Sequence, residues 1–260
     1  MMAMLEVVKL TRVFGGVRAV DGLTFHVGAG EFVGLIGPNG AGKSTAFNLI
    51  NGVVPPSSGI IRYGGENLAG LRPNQIVRRG IARTFQASTV FTTSSVRENI
   101  QRGAYLWSPQ GFVEGFFSTR VARAKIRKVE QYVDELLELL SLAPYQHKQA
   151  GSLPYGHQRR LGVAIALATD PTLLMLDEPA AGLNEEEAAE MGDLFQSINS
   201  TRGISIVLVE HHMRMLMRVC QKVVVLDHGV KIAEGTPFQV QDDPVVIRAY
   251  LGSFEERQDA

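Results

Sequence analysis

The chain has 260 residues, 45% of them apolar, which suffices for one large core or a core with a subdomain. Lysine plus arginine balances aspartate plus glutamate at 26 each, so the chain lacks the basic excess of nucleic-acid binders, and no nucleic-acid partner is expected. The single Cys220 forbids an intrachain disulfide, no apolar run approaches ~18 residues, and no basic-then-apolar leader opens the chain, so a soluble protein of a reducing compartment is expected.

Residues Leu5–Phe32 read as strands, with Val7, Val13, Val20, Phe25 and Val27 supplying β-branched and aromatic positions between glycine-rich turns. Phe14 stands just before the Gly15-Gly16 turn. It fits two readings, an aromatic that stacks on a purine or a core residue at a strand end. Next, Glu31–Gly37 is a short apolar run of strand type, and Gly37-Pro-Asn39-Gly40-Ala-Gly42-Lys43-Ser44-Thr45 fits the G-x-x-x-x-G-K-[ST] phosphate loop. Its glycines let successive N–H groups turn inward toward an anion. Lys43 adds a mobile point charge, and the Ser44 hydroxyl suits a Mg²⁺ shared with the phosphates. Ser44–Asn51 has helical spacing. A strand, a glycine loop and a helix in that order place phosphate on a helix N-terminus.

A turn cluster follows at Gly52–Gly59, then a strand at Ile60–Tyr63 and a short helix opened by Pro73. Ile81–Gln86 reads as a strand, with Gln86 at the point where the composition changes. From there to about Gly151 the chain reads helical, and Ile126, Val129, Val133, Leu136 and Leu140 form one apolar stripe. The aromatic stretch 103–117, with Trp107, Phe112, Phe116 and Phe117, has no clean period. It reads as a loop on the subdomain core or as a docking surface. Ser152–Arg160 leads into a helix, and Gly156, read as standing before the helix start, marks a second possible anion site.

Leu173–Leu176 is an apolar strand that ends in Asp177-Glu178-Pro179. In a parallel sheet that end faces ligands. One carboxylate there can hold Mg²⁺, and the other can take a proton from an attacking water. Asn184 reads as an N-cap, with Glu185–Glu187 complementing the helix dipole. Ile204–Val209 is a further buried strand, ending at Glu210-His211-His212. His211 fits either a contact to a terminal phosphate or a surface turn. Lys222–Asp227 and Val230–Glu234 read as a closing hairpin, and Pro244–Leu251 as a short helix before a polar tail.

The ordered motifs GPNGAGKST, RTFQ, LPYGHQRR, LLMLDEPAAGLN and VEHH resemble those of ABC-transporter ATPase subunits over nearly the whole chain. The phrases YGHQRRL, DEPAAGLN, IAEGTP and AYLG are most similar to the subunits of branched-chain or hydrophobic amino-acid importers. The resemblance implies an α/β P-loop NTPase (RecA-like) core with an antiparallel β subdomain and an inserted α-helical subdomain. Residues 1–86 and 166–240 would form the core, 87–165 the helical subdomain, and 241–260 a C-terminal helix and tail. ATP and Mg²⁺ are the implied ligands. Phe14 would stack on adenine, and Asn39, Gly40, Gly42, Lys43, Ser44 and Thr45 would hold the phosphates. Ser44, Gln86 and Asp177 would hold the metal, Glu178 would be the general base, and His211 the switch histidine, with Gln86 also in the catalytic set. Implied partners are a second ATPase subunit of the same or a different kind, transmembrane permeases and, indirectly, a periplasmic or extracellular solute-binding protein. The implied place is the cytoplasmic face of the inner membrane.

The signature departs from the family pattern. LSGGQ is Leu153-Pro154-Tyr155-Gly156-His157 here, so the serine hydroxyl is missing and Pro154 removes a backbone donor. The amides of Tyr155, Gly156 and His157 are then expected to meet the opposite subunit's phosphate. Other family members fit less well: subunits for urea or amide uptake, for lipopolysaccharide export, or soluble ABC ATPases without a transporter. A regulator without turnover is disfavoured by the intact Lys43, Asp177 and Glu178.

Overall fold

The computed structural model describes residues 3–84, 90–104 and 120–255. It divides into two compact units, Met1–Ile76 with Met175–Ala260, and Val77–Leu174. The sequence reading put the divisions at 86/87 and 165/166 and set 241–260 apart. The observed divisions lie further out because backbone pairing holds the base of the insertion together: the amides of Thr172 and Leu173 donate to the carbonyl of Gly80 at 2.9 and 3.0 Å. The C-terminal residues belong to the first unit.

In the first unit, β1 (Ala3–Phe14), β2 (Val17–Gly28), β4 (Ser58–Tyr63) and β5 (Glu66–Asn67) form an antiparallel sheet in the order β2-β1-β4-β5. Alternate residues Leu5, Val7, Leu23, Phe25 and Val27 are buried, as period-2 patterning requires when only one face is covered. The second sheet runs β10-β9-β3-β8-β7 through this unit, from β3 (Phe32–Ile36), β7 (Leu173–Asp177), β8 (Ser205–Val209), β9 (Lys222–Asp227) and β10 (Val230–Gly235). β3 pairs in parallel with both β8 and β9, so the strand that precedes the phosphate loop is central. Leu35, Ile36, Val207, Leu208, Val224 and Val225 are fully buried. Continuous apolar runs of this kind belong to strands covered on both faces, and each such side chain contributes about 1.5–3 kcal/mol of burial.

The helices of this unit are α1 (Lys43–Ile50), α6 (Glu185–Arg202), α7 (Met213–Val219), α8 (Pro237–Gln241) and α9 (Pro244–Glu255); α2 (Pro73–Val77) closes its first stretch. α6 starts as its sequence indicates. Asn184 Oδ1 accepts from the Glu187 amide at 2.9 Å, and Glu187 Oε2 accepts from the Asn184 amide at 3.0 Å.

The second unit holds β6 (Ile81–Arg83), α3 (Val96–Gly103), α4 (Arg120–Leu139) and α5 (Tyr155–Leu167), with 3₁₀ turns at Ala143–Tyr145 and Ala150–Ser152. Ser95 and Glu98 form a capping box at the start of α3. Arg97, on the first turn, reaches Glu130 of α4 at 3.0 Å and also contacts Asp134 and Gln146, which ties the two helices together. The expected stripe is only partly core: Val133, Leu136 and Leu140 are fully buried, whereas Ile126 is half exposed. The aromatic residues Trp107, Phe112, Phe116 and Phe117 lie outside the described residues.

Candidate nucleotide-binding site

β3 stops at Ile36 because the backbone then enters conformations open to glycine. Gly37, Gly40 and Gly42 have φ of 150°, 81° and 96°. Two of the three also lack room for a side chain. A Cβ on Gly37 would lie 2.0 Å from the Leu226 carbonyl oxygen, and one on Gly42 would lie 2.3 Å from that of Ala19. Gly40 differs, since a Cβ there would meet nothing within 4 Å. The loop is tied from behind by the turn between β9 and β10. The Gly229 amide donates to the Ala41 carbonyl at 3.0 Å, and the Gly229 carbonyl accepts from the Asp21 amide at 2.8 Å.

α1 begins at Lys43 with Gly42 as a left-handed cap and no side chain capping it. Its first intrahelical bond is from the Ala46 amide to the Gly42 carbonyl, at 2.9 Å, so the amides of Lys43, Ser44 and Thr45 have no intrahelical acceptor. Uncapped amides at the positive end of a helix suit an anion. Lys43 is buried, and its Nζ donates to the carbonyls of Gly37 and Pro38 at 2.7 and 2.8 Å. Burial pulls its ammonium below the ordinary lysine value, against the opposing pull of the Glu178 and Asp177 carboxylates. Asn39, Gly40 and Ser44 are exposed and Thr45 is half-buried.

Asp177 ends β7 and is buried. Glu178, the next residue, sits in the left-handed region at φ 48°, which costs a residue with a side chain about 1–2 kcal/mol. Its amide donates to the Val209 carbonyl at 2.9 Å, and its Oε1 lies 2.8 Å from His211 Nε2. The turns that follow β7 and β8 are therefore joined through backbone and side chain. Lys43, Asp177, Glu178 and His211 fall together, as chemistry on a phosphoryl group requires. The donors offered by Ser44 and Asp177 are a hydroxyl and a carboxylate, the hard oxygens that Mg²⁺ prefers. The tight cradle at Gly37 and Gly42 fits a phosphate held close to the backbone.

Phe14 is 43% exposed at the end of β1, and the Arg12 guanidinium lies 4.5 Å from its ring centroid. Of the two readings of this residue, the core one fails. Gln86 lies outside the described residues.

The second unit carries the signature. Gly156 was expected ahead of a helix, yet α5 starts at Tyr155, so this glycine lies inside the first turn. Pro154 caps the helix through its carbonyl, which accepts from the amides of His157 and Gln158 at 3.0 and 3.1 Å. The His157 amide is thus engaged, and the donors left at this end are those of Tyr155 and Gly156. The His157 ring packs edge-on against Tyr145, with 4.6 Å between centroids, and the exposed Tyr155 ring carries Arg159 at 4.9 Å.

Three contributors escaped the sequence reading. Glu210 reads from the sequence only as a strand end, although it is a carboxylate closing a buried strand just as Asp177 does. Gly229 was taken as a hairpin turn. Tyr250, on α9, has its hydroxyl hydrogen-bonded to the backbone of Gly37. Burial pushes that phenol up, and the contact with Gly37 partly offsets it. No local pattern announces a contact made across so much chain.

Known proteins share this arrangement. The ABC transporter family profile matches residues 20–181, and that of the branched-chain amino acid ATP-binding cassette transporter matches residues 230–256. The high-affinity branched-chain amino acid transport ATP-binding protein BraF of Pseudomonas aeruginosa is 40% identical over 248 residues, covering 95% of this chain and 97% of that protein. LivG of Escherichia coli K12, described by the same phrase, is 38% identical over 96% of this chain and 98% of its own length. Among solved structures, an ATP-binding cassette of an ABC transporter in its ADP conformation aligns with a TM-score of 0.83 at 27% identity, covering 97% of this chain and 100% of that one. A nucleotide-free cassette from an ABC transporter aligns with a TM-score of 0.82 at 26% identity, covering 96% and 99%. The α/β P-loop architecture reached from the glycine loop is that of these cassettes, and with nearly full-length likeness on both sides the chain belongs to the ABC-transporter ATP-binding family.

Proposed function

We propose that this chain binds and hydrolyses ATP to drive a membrane importer of branched-chain or other hydrophobic amino acids. The observation that carries the hydrolytic part is the 2.8 Å contact of Glu178 with His211, set beside a buried Lys43 on the phosphate loop. The loop amides and Lys43 hold the outer phosphates, with Asn39, Gly40, Gly42 and Thr45 completing the cradle. Glu178 takes a proton from the attacking water as its oxygen bonds to the γ-phosphorus and the bond to the bridging oxygen of ADP breaks. His211 orients the γ-phosphate and fixes the Glu178 carboxylate. Ser44 and Asp177, with Gln86, would hold Mg²⁺, which neutralises charge on the phosphates. Phe14 stacks on the adenine.

The amino-acid assignment is supported by the match of residues 230–256 and by the printed function of BraF and LivG. In this reading a second ATPase subunit supplies a signature to each phosphate, here through Tyr155 and Gly156, and the helical unit docks on a permease at the cytoplasmic face. A solute-binding protein delivers the amino acid. Among the described residues no helix is long and apolar enough to cross a membrane, so the permease would supply the membrane-spanning part. The test is Glu178→Gln in the assembled transporter, which should bind ATP at parental affinity and lose turnover. Parental turnover would place the base elsewhere.

A further inference from the structure

Glu210 is one of the few buried charged residues among the described residues, at 2% exposure. Its partners are backbone amides. Oε1 accepts from Ala180 at 2.7 Å, and Oε2 accepts from His211 at 2.8 Å and His212 at 3.2 Å. Ala180 lies two residues after Glu178, and His211 is the residue that touches Glu178. One carboxylate therefore bridges the turn that carries the base and the turn that carries its histidine.

Two features give that bridge a purpose. Glu178 is held at a positive φ, a conformation that persists only where the surroundings over-determine it. The turn from 178 to 181 is also held by the Glu178 amide on the Val209 carbonyl at 2.9 Å, the Ala181 amide on Glu178's own carbonyl at 3.2 Å and the Leu183 amide on the Ala180 carbonyl at 3.1 Å. The charge-assisted bond donated by the Ala180 amide to the Glu210 carboxylate, at 2.7 Å, is the shortest of these. A buried carboxylate also costs desolvation, and three amide donors offset that cost only while both turns stay in register.

We infer that Glu210 is a positioning residue for ATP hydrolysis: it sets the turn after β7 against the turn after β8, and so fixes where the Glu178 carboxylate and the His211 ring meet the γ-phosphate. At 2% exposure, with its oxygens on backbone amides, it acts through these two turns. The inference rests on the roles proposed above for Glu178 and His211. It predicts that disturbing the bridge costs the chemical step and not nucleotide binding, because the phosphate loop makes no bond to Glu210.

Two variants test it in the assembled transporter. Glu210→Gln keeps the shape and one acceptor but turns an NH₂ toward amides that need an acceptor. Glu210→Asp keeps the charge and is one methylene too short to span both turns. Each should lower kcat on the order of tenfold to a hundredfold, the size expected of a displacement near 1 Å. KM for ATP and the dissociation constant for a non-hydrolysable ATP analogue should stay at parental values, whereas the melting temperature should fall in both variants because a buried amide loses its acceptor. Parental kcat in either folded variant overturns the inference. So does a loss of kcat matched by an equal loss of nucleotide affinity, which would make Glu210 merely structural. Glu178→Gln is run alongside: if it keeps turnover, the underlying assignment has failed, whereas if it is inactive and the Glu210 variants are not, only the bridge has failed.

Discussion

Gly40 and Gly42 share the phosphate loop and a positive φ, and they differ in what surrounds them, so alanine at each separates two costs. Alanine in the left-handed region costs about 1–2 kcal/mol, of which roughly 0.4–1 is returned by the stiffer unfolded chain. For Gly40→Ala that is the whole account, since its Cβ would enter open space. For Gly42→Ala the Cβ would sit 2.3 Å from the Ala19 carbonyl oxygen, a backbone atom of β2 that cannot swing aside. Forcing the two apart adds a further overpacking cost of about 1–3 kcal/mol. At roughly 2–4 °C per kcal/mol for a chain of this size, Gly42→Ala should melt about 2–12 °C below Gly40→Ala. Differential scanning fluorimetry of the purified variants reads this directly. Titration with a fluorescent ATP analogue should show the larger loss of affinity for Gly42→Ala, whose loop has been pushed off the strand behind it. Equal melting temperatures, or a lower one for Gly40→Ala, would refute the argument that space at Ala19 controls this loop.

Phe14→Ala should weaken ATP binding by about 5- to 150-fold, the cost of losing one base–aromatic stack at 1–3 kcal/mol, and leave the melting temperature near parental because the ring is 43% exposed; unchanged affinity would remove Phe14 from the site. Lys43 gives a pH signature. Its folded value lies below the free value of 10.5, so just under that pH the unfolded chain holds more protons than the folded one, and this group's contribution to stability rises with pH. Lys43→Met should flatten that rise in urea melts taken from neutral to alkaline pH and should abolish ATP binding at every pH. A rise as steep as in the parent would mean that Lys43 is not the group desolvated.

Much of this site is legible in the sequence because its parts are local. The phosphate loop, the acids after Leu176 and the Asn184 cap are each written in a few adjacent residues, and their chemistry follows from residue type and spacing. Phe14 was ambiguous because a strand end next to a glycine turn faces either way, and only the sheet's pairing decides. Glu210 was illegible for another reason. Its acceptors serve amides thirty residues upstream and one and two residues downstream, and nothing in VEHH distinguishes that from a solvated end. The Gly80–Thr172 pairing joins segments 92 residues apart, so no local pattern marks where the two compact units divide. The aromatic stretch 105–117 has no period to read and lies outside the described residues.

The central place of β3 has a consequence for how the protein is made. The strand before the phosphate loop is flanked by β8 and β9, and the Gly30 amide finds its acceptor, Ser205 Oγ, 175 residues later. A ribosome adding 5–20 residues per second needs on the order of ten to thirty seconds to cover that distance. Through most of that interval the nascent chain carries a complete phosphate-loop motif with neither neighbouring strand and no Gly229 behind Ala41. The strand before the phosphate loop therefore gains both neighbours only once the chain has passed Lys222, and a chain that stalls before Ser205 carries an apolar strand with two open edges.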